Sequence, residues 1–235
     1  MRAAETGSLP GPELARRIDH TLLKADARHD EFEKLATEAR THSFASVCVN
    51  SGRLPEVVSR LAGSPVLPIA VVGFPLGAME TEAKVAETRR ALDLGAKEID
   101  MVLAIGVLKD GAYEGVEKDV EAVVAAAKTR KIPVKVILET CLLTREEKIA
   151  ACVIAKRAGA AFVKTSTGFA AAGATVEDIR LMRTVVGPDM GVKASGGIRT
   201  RADALKMIAE GADRIGASAS VAIATAGISA ESGGY

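Results

Sequence analysis

The sequence has no excess of charge of either sign, because its 31 basic and 30 acidic side chains nearly cancel. Such a chain has no field that would concentrate it on nucleic acid or on an anionic membrane. No stretch approaches the roughly 20 apolar residues that a membrane-spanning helix needs, and the polar residues 1–13 lack the apolar segment of a signal peptide. We therefore expect a cytoplasmic protein that binds neither nucleic acid nor a membrane.

Cysteine and histidine are also scarce, with three residues of each. Cys48, Cys141 and Cys152 are odd in number and lie far apart or on different predicted elements, which argues against a disulfide framework. No two histidines have the spacing of metal ligands. We expect reduced thiols and no metal site.

Short apolar runs and amphipathic stretches alternate along the whole chain, a pattern that is typical of parallel strands joined by helices. Predicted strands lie near residues 18–20, 45–49, 69–73, 98–103, 134–139, 161–165, 191–194 and 214–216, and predicted helices cover 30–42, 80–94, 114–131, 144–158, 175–185 and 202–209. Eight units close most simply into a barrel, whereas an open doubly wound sheet usually has about five or six strands. The sequence therefore predicts an α/β fold, a single-domain (β/α)8 TIM barrel over residues 1–235, with a flexible N-terminal arm over 1–12 and a flexible tail over 229–235.

Three of the predicted strands contain a lysine where a barrel strand should be apolar. Lys135, Lys164 and Lys193 are each 29 residues from the next, about one β/α unit. A charge that faced the helices would cost several kcal/mol, so we expect all three side chains in the lumen, at matching places on consecutive strands. Ammonium groups about 6 Å apart would repel by about 2.8 kcal/mol, or about two pKa units, and burial acts in the same direction. A lysine with a lowered pKa has a neutral amine that can attack a carbonyl.

Asp100 is the carboxylate that the strand pattern places most naturally in the same lumen. It could carry a proton, directly or through water, or it could neutralise one of the lysines. Each lysine could instead be a structural ion-pair partner of Asp100 or Glu139. Cys48 should lie at the mouth of the lumen, as a core residue more readily than as a nucleophile, because no base partner is evident.

Two late segments resemble anion sites at the ends of strands seven and eight. They are Ser195-Gly196-Gly197 and Gly216-Ala217-Ser218. Small residues at this end of a barrel let backbone N–H groups approach phosphate oxygens. Thr165-Ser166-Thr167-Gly168 could add hydroxyls and another amide, although glycines also serve ordinary turns.

Several motifs occur in an order in which the chain closely resembles the deoxyribose-phosphate aldolase family. They are Ile18-Asp19-His20-Thr21, Val47-Cys48-Val49-Asn50, Glu98-Ile99-Asp100-Met101-Val102, Phe162-Val163-Lys164-Thr165-Ser166-Thr167-Gly168, Val192-Lys193-Ala194-Ser195-Gly196-Gly197 and Ile215-Gly216-Ala217-Ser218. The resemblance implies reversible cleavage of 2-deoxy-D-ribose 5-phosphate into acetaldehyde and D-glyceraldehyde 3-phosphate, without a cofactor. The partners would be a sugar phosphate and an aldehyde, and the assembly could be a homo-oligomer such as a dimer.

The same resemblance assigns roles to individual residues. It implies that Lys164 forms the Schiff base, a choice among the three lysines that strand spacing leaves open, and that Lys193 and Asp100 transfer protons. Family members use a C-terminal tyrosine to assist protonation, and this chain ends in Tyr235 on a Gly/Ser tail. Substrate and phosphate contacts would come from Asp19, Thr21, Cys48, Thr167, Gly168, Gly196, Gly197, Gly216 and Ser218.

Two positions depart from the pattern of some family members at the phosphate end. Phe169 stands where they have a lysine, and Ala219 where they have a second serine. We therefore expect a weaker preference for phosphorylated substrates. The competing interpretations are a Schiff-base aldolase that acts on a keto donor and, from another class, a phosphate-binding barrel isomerase or a sugar-phosphate sensor.

Overall fold

Eight parallel strands form a closed barrel in sequential order, β1 to β8, in a computed structural model that describes residues 9–226. The strands are β1 (Ile18–Leu22), β2 (Ser46–Asn50), β3 (Leu67–Val72), β4 (Glu98–Val102), β5 (Val134–Ile137), β6 (Phe162–Lys164), β7 (Gly191–Ser195) and β8 (Arg214–Ala217). Strand β8 pairs with β1 and closes the ring. The predicted (β/α)8 barrel is confirmed, with all eight strands at their expected places.

Ten α-helices surround the barrel in the described part of the chain. They are α1 (Gly11–Ala15), α2 (His29–Thr41), α3 (Leu54–Leu61), α4 (Thr81–Asp93), α5 (Ile105–Lys109), α6 (Tyr113–Lys128), α7 (Arg145–Arg157), α8 (Val176–Val186), α9 (Arg201–Ala209) and α10 (Ser220–Thr225). The six predicted helices correspond to α2, α4, α6, α7, α8 and α9. Helix α1 begins at Gly11, inside the arm predicted over 1–12, and the tail predicted over 229–235 lies outside the described residues.

The strands place their side chains alternately toward the helices and toward the lumen, as a period of two requires. In β5, Val134 and Val136 belong to the main core between barrel and helices, whereas Lys135 between them faces inward. Apolar residues therefore hold the helices, and the lumen receives the polar and charged side chains. Among residues 9–226, no helix combines the length and the apolar character needed to cross a membrane.

The strand register corrects one expectation about the lysines. Lys164 and Lys193 are paired across β6 and β7, but Lys135 pairs with Phe162, two residues before Lys164. Equal spacing in sequence does not produce equal register, because barrel strands are staggered and their connections differ in length. Lys135 therefore lies one inward-facing position deeper than Lys164.

Candidate active site

Asp100 is the centre of the lumen and contacts all three lysines. Its Oδ1 accepts a hydrogen bond from Lys135 Nζ at 2.7 Å, and its Oδ2 accepts from Lys164 Nζ at 2.9 Å and from Lys193 Nζ at 2.7 Å. The carboxylate is fully buried. Burial raises its pKa, but the three lysines outweigh burial and hold the pKa of Asp100 well below its usual range. The group is an anion at neutral pH.

The two lysines that share Asp100 Oδ2 have opposite pKa shifts. Burial lowers the pKa of Lys164, Asp100 opposes this effect, and the charge of Lys193 lowers the pKa further, so that the net shift is downward. Burial also lowers the pKa of Lys193, but the carboxylates of Asp100 and Asp19 outweigh it and raise the pKa above its ordinary value. Burial is therefore the larger cause at Lys164, and repulsion between lysines is secondary. Of these two, Lys164 is the amine that loses its proton more readily, and Lys193 stays an ammonium.

Beneath the lysines, Glu98 and Arg214 extend the charged cluster. Lys135 Nζ lies 2.5 Å from Glu98 Oε2, and Arg214 reaches Glu98 Oε1 at 3.3 Å. Sequence reasoning missed both residues. For Glu98 the signal was present, because it stands two residues before Asp100, which was predicted to lie in the lumen, and a period of two places both on the same face of the strand.

Asp19 also lies in this cluster, fully buried. Its Oδ2 is 2.5 Å from Lys193 Nζ, and its Oδ1 accepts from Ser46 Oγ at 2.6 Å and from Arg214 Nε at 3.0 Å. Burial raises the pKa of Asp19, but Lys193 and Arg214 outweigh burial and lower it below the usual range. The residue was expected to contact substrate, whereas the structure places it against Lys193.

A cavity of about 430 Å³ opens at the carboxyl ends of β6, β7, β8 and β1, directly above the cluster. Of the three lumen lysines, only Lys164 lines it. The predicted binding residues that line it are Thr21, Thr167, Gly168, Gly196, Gly197, Gly216 and Ser218. Lys24 and Arg199, which sequence reasoning missed, also line the cavity. Arg199 follows the Gly196-Gly197 pair closely enough to have been a candidate.

Two of the cavity glycines have steric reasons to be glycine. Gly196 has a φ of 87°, and a Cβ there would lie 2.9 Å from the Cα of Gly173. A Cβ on Gly216 would lie 3.0 Å from Cε of Lys193. The first keeps the loop after β7 closely packed, and the second leaves room for the Lys193 side chain.

Thr167 is oriented by Glu139, a buried residue at the end of β5 with a φ of 56°. The backbone N–H of Thr167 lies 3.3 Å from both carboxylate oxygens, and its hydroxyl donates to Oε2. The Thr167 Oγ1 in turn accepts from the N–H of Phe169 at 3.0 Å. Among the described residues, Glu139 pairs with none of the three lysines, so the alternative in which it neutralises one of them is not realised.

Cys48 is fully buried within a small apolar cluster inside the barrel, together with Leu23, Ile69 and Val71. Burial raises the pKa of its thiol to about 11. The neutral thiol is therefore a packing group next to the charged cluster, and it does not line the cavity.

No group of histidine, cysteine, aspartate and glutamate within the described residues could hold a metal ion. His20 faces away from the lumen. Its Nδ1 lies 2.9 Å from Ser220 Oγ, and its Nε2 lies 2.9 Å from Glu38 Oε2. The imidazole thus links β1 to α2 and α10.

Comparison with known proteins identifies the family. Residues 14–230 match the model described as DeoC/LacD family aldolase. The chain belongs to this aldolase family. The family resemblance inferred from the sequence motifs is confirmed.

Members of this aldolase family with known names and structures cover almost the whole chain. Deoxyribose-phosphate aldolase of Bacillus cereus (strain AH187) is 58% identical over 210 residues, which are 89% of this chain and 94% of the relative. A putative deoxyribose-phosphate aldolase from Coccidioides immitis superimposes with a TM-score of 0.88 at 43% identity, over 91% of this chain and 85% of that one. A tetrameric deoxyribose phosphate aldolase from Aeropyrum pernix gives a TM-score of 0.86 at 34% identity, over 91% of this chain and 90% of that one.

The departures from some members of this aldolase family lie at the cavity and next to it. Phe169 lines the cavity with 56% of its surface exposed, and its ring contacts Phe74 edge-on at 5.3 Å between centroids. Ala219 immediately precedes α10. Tyr235, the remaining predicted catalytic residue, lies outside the described residues.

Proposed function

We propose that this protein catalyses the reversible cleavage of 2-deoxy-D-ribose 5-phosphate to acetaldehyde and D-glyceraldehyde 3-phosphate, as a class I aldolase with its Schiff base on Lys164. The observation that carries the assignment of Lys164 is its position. It is the one lumen lysine that lines the cavity, and its pKa is lowered. The 58% identity to a deoxyribose-phosphate aldolase supports the substrate.

The reaction begins when the neutral amine of Lys164 attacks the C1 aldehyde. Loss of water produces an iminium, which accepts the electron pair of the C2–C3 bond as that bond breaks. The C3 hydroxyl loses its proton to Asp100, through water, and D-glyceraldehyde 3-phosphate leaves. The enamine of acetaldehyde stays on Lys164, gains a proton at C2 and is hydrolysed.

In this scheme Asp100 transfers the proton, and Lys193 tunes Asp100 through a hydrogen bond. The raised pKa of Lys193 keeps its amine protonated. The ammonium therefore donates a hydrogen bond to the Asp100 carboxylate and remains a positive charge beside it. Tyr235 remains the candidate for protonation at C2, as the family resemblance implies.

The phosphate end of the substrate would lie against the loops after β6, β7 and β8. Backbone amides of Gly168, Gly196, Gly197 and Gly216 and the hydroxyl of Ser218 provide donors there. Lys24 and Arg199 provide positive charge at the rim. Since Phe169 replaces a lysine of some relatives, the preference for phosphorylated substrates should be weaker than theirs.

The proposal includes a cytoplasmic location and a homo-oligomeric assembly, with a dimer as the expected form. The Aeropyrum pernix relative is tetrameric. Sedimentation velocity on the full chain distinguishes a dimer from a tetramer and from a monomer.

Product analysis of the wild type and of a Lys164→Ala variant tests the proposed activity. Wild-type protein should release acetaldehyde and D-glyceraldehyde 3-phosphate in equal amounts from 2-deoxy-D-ribose 5-phosphate, and the variant should lose at least about 10³-fold in kcat. Cleavage of a keto-donor aldol instead would indicate the other Schiff-base aldolase. Sugar-phosphate binding without cleavage would indicate an isomerase or a sensor.

A further inference from the structure

Six charged side chains beneath the cavity form a closed ring in which cations and anions alternate. Around the ring they are Asp100, Lys135, Glu98, Arg214, Asp19 and Lys193, which then returns to Asp100. Each cation bridges two carboxylates, and each of the six carboxylate oxygens contacts one ring cation. The ring is therefore charge-balanced by itself.

Lys164 is a fourth cation attached to this balanced ring. Its only ion pair in the described part of the chain is with Asp100 Oδ2, the oxygen that Lys193 already uses. With Lys164 protonated the cluster carries one excess positive charge, and with Lys164 neutral it carries none. An unbalanced buried charge is costly, so the count of charges favours loss of the proton from Lys164.

Charged and titratable groups reach Lys164 from several strands. Asp100 on β4, Lys193 on β7 and Cys48 on β2 act on it directly. Lys135 on β5 and Asp19 on β1 act on it through Asp100 and Lys193. Glu98 and Arg214 form no hydrogen bond or ion pair with Lys164 among residues 9–226 and do not line the cavity.

We propose that Glu98 and Arg214 are positioning residues for the reaction, which close the ring and so leave Lys164 as the one cation without a carboxylate oxygen of its own. They act through Lys135 and Asp19 rather than on substrate. The proposal rests on the proposed Schiff-base function for its catalytic meaning, but the predicted effect on the Lys164 amine is a property of the folded protein alone.

Two substitutions that remove charges of opposite sign test the proposal, because they should shift the titration midpoint of Lys164 in opposite directions. Glu98→Gln removes a negative charge, so the protonated form of Lys164 becomes less favourable. Arg214→Gln removes a positive charge, and protonated Lys164 then balances the cluster. Competitive labelling with acetic anhydride across pH, followed by mass analysis of the peptide that holds Lys164, measures the titration midpoint of this amine. The midpoint should fall by about one pH unit in Glu98→Gln and rise by about one unit in Arg214→Gln, as expected for a charge about 10 Å away at an effective dielectric near 20.

The controls separate charge from structure. Arg214→Lys keeps the charge and should leave the midpoint at the wild-type value. The double variant Glu98→Gln/Arg214→Gln restores the balance and should return the midpoint toward that value. If Arg214→Gln does not fold, the comparison of Glu98→Gln with the double variant decides the question. Midpoints that do not move, or that move in the same direction in both single variants while circular dichroism shows a folded protein, would overturn the proposal.

The labelling assay does not require aldolase activity, so the two proposals fail separately. Opposite midpoint shifts in a protein that forms no imine with acetaldehyde would support the proposal about the ring and reject the Schiff-base function. Unchanged midpoints in a protein that cleaves the substrate would reject the ring alone.

Discussion

Lys164 and Lys193 are paired in the strand register, and yet their pKa values shift in opposite directions. Burial lowers both. Within residues 9–226, Lys193 contacts two carboxylates, Asp19 and Asp100, whereas Lys164 contacts one, Asp100. The second carboxylate decides the sign. The site thus holds a potential nucleophile and a permanent cation side by side, which is the pair of states that a Schiff-base mechanism needs.

Substitution of Lys193 by methionine should raise the pKa of Lys164, because it removes a cation that lowers this pKa. We expect kcat to fall by about 10²- to 10⁴-fold, because Asp100 loses the ammonium that positions its carboxylate for proton transfer. The acidic limb of the pH profile should also move to higher pH. Steady-state kinetics over the stable pH range measure both effects, with Lys118→Met, at an exposed position on α6, as the control. A lowered kcat with an unmoved acidic limb would contradict the electrostatic role.

Replacement of Phe169 by lysine should increase the preference for phosphate. The side chain lines the cavity, and a partly exposed ion pair with the phosphate would contribute roughly 1 kcal/mol, or about fivefold. The measurement is the ratio of kcat/KM for 2-deoxy-D-ribose 5-phosphate to that for 2-deoxy-D-ribose. Phe169→Leu controls for loss of the aromatic contact with Phe74 and should not increase the ratio. An equal ratio in wild type and Phe169→Lys would count against the predicted weak phosphate preference.

For the individual residues, the cost of a charge that faces the helices was enough to place Lys135, Lys164 and Lys193 in one lumen, and the strand pattern added Asp100. It could not choose Lys164 among the lysines, because the choice depends on ion pairs between strands that are far apart in the sequence. Lys193, for example, meets Asp19 from β1. Such a pair cannot be inferred from spacing along the chain, so the choice of Lys164 came from the family motifs.

At the scale of elements, a buried ion pair fixes α4 and α6 to the end of β4. Lys84 Nζ donates to Asp119 Oδ2 at 2.6 Å and to the carbonyl of Val102 at 3.2 Å, and Lys84 is fully buried. The hydroxyl of Thr81 donates to the other oxygen of Asp119 at 2.9 Å. The pair lies next to the chain segment that follows Asp100.

Lys84→Met should destabilise the protein by about 3–5 kcal/mol, because it leaves the Asp119 carboxylate buried without its cation. The free energy of unfolding in urea measures the effect. Lys84→Met/Asp119→Leu removes both charges and should recover a large part of the loss. If Lys84→Met is as stable as the wild type, the buried Asp119 carboxylate does not depend on Lys84 for its stabilisation, which would contradict the prediction.

The elements that could not be predicted are the short ones. Helices α1, α5 and α10 have five or six residues, too few to show a helical period. Helix α3 has eight residues, with Pro55 at its second position, where proline is tolerated but also signals a turn. The capping box at Thr144 and Glu147, in contrast, is local in sequence and marks the start of α7. The side chain of each residue accepts a hydrogen bond from the backbone N–H of the other.

At the scale of the whole molecule, the charged cluster joins six of the eight strands around one interior. Its members come from β1, β4, β5, β6, β7 and β8. Closure of the barrel is what brings Arg214 on β8 against Asp19 on β1. The eight-unit count in the sequence predicted this closure, whereas the identity of the ring depended on the register.

Stability should fall in acid because of the same cluster. Asp19 and Asp100 have lowered pKa values in the folded protein, so their contribution is fully present above the unfolded-state value of about 3.9. It is lost as pH falls from there toward the folded pKa values. Urea unfolding at successive pH values below about 5 should show a falling free energy of unfolding. Asp26→Asn, at an exposed position, should leave this slope unchanged; a free energy that stays constant in the wild type would contradict the prediction.

Reductive trapping with borohydride shows which lysine forms the Schiff base. The full-length protein is incubated with acetaldehyde and borohydride, digested and mapped by mass spectrometry. We expect a single two-carbon adduct on the peptide that contains Lys164, and no adduct in the Lys164→Ala variant. An adduct on the peptide that holds Lys135 or Lys193, or no adduct at all, would rule out Lys164 as the Schiff-base lysine.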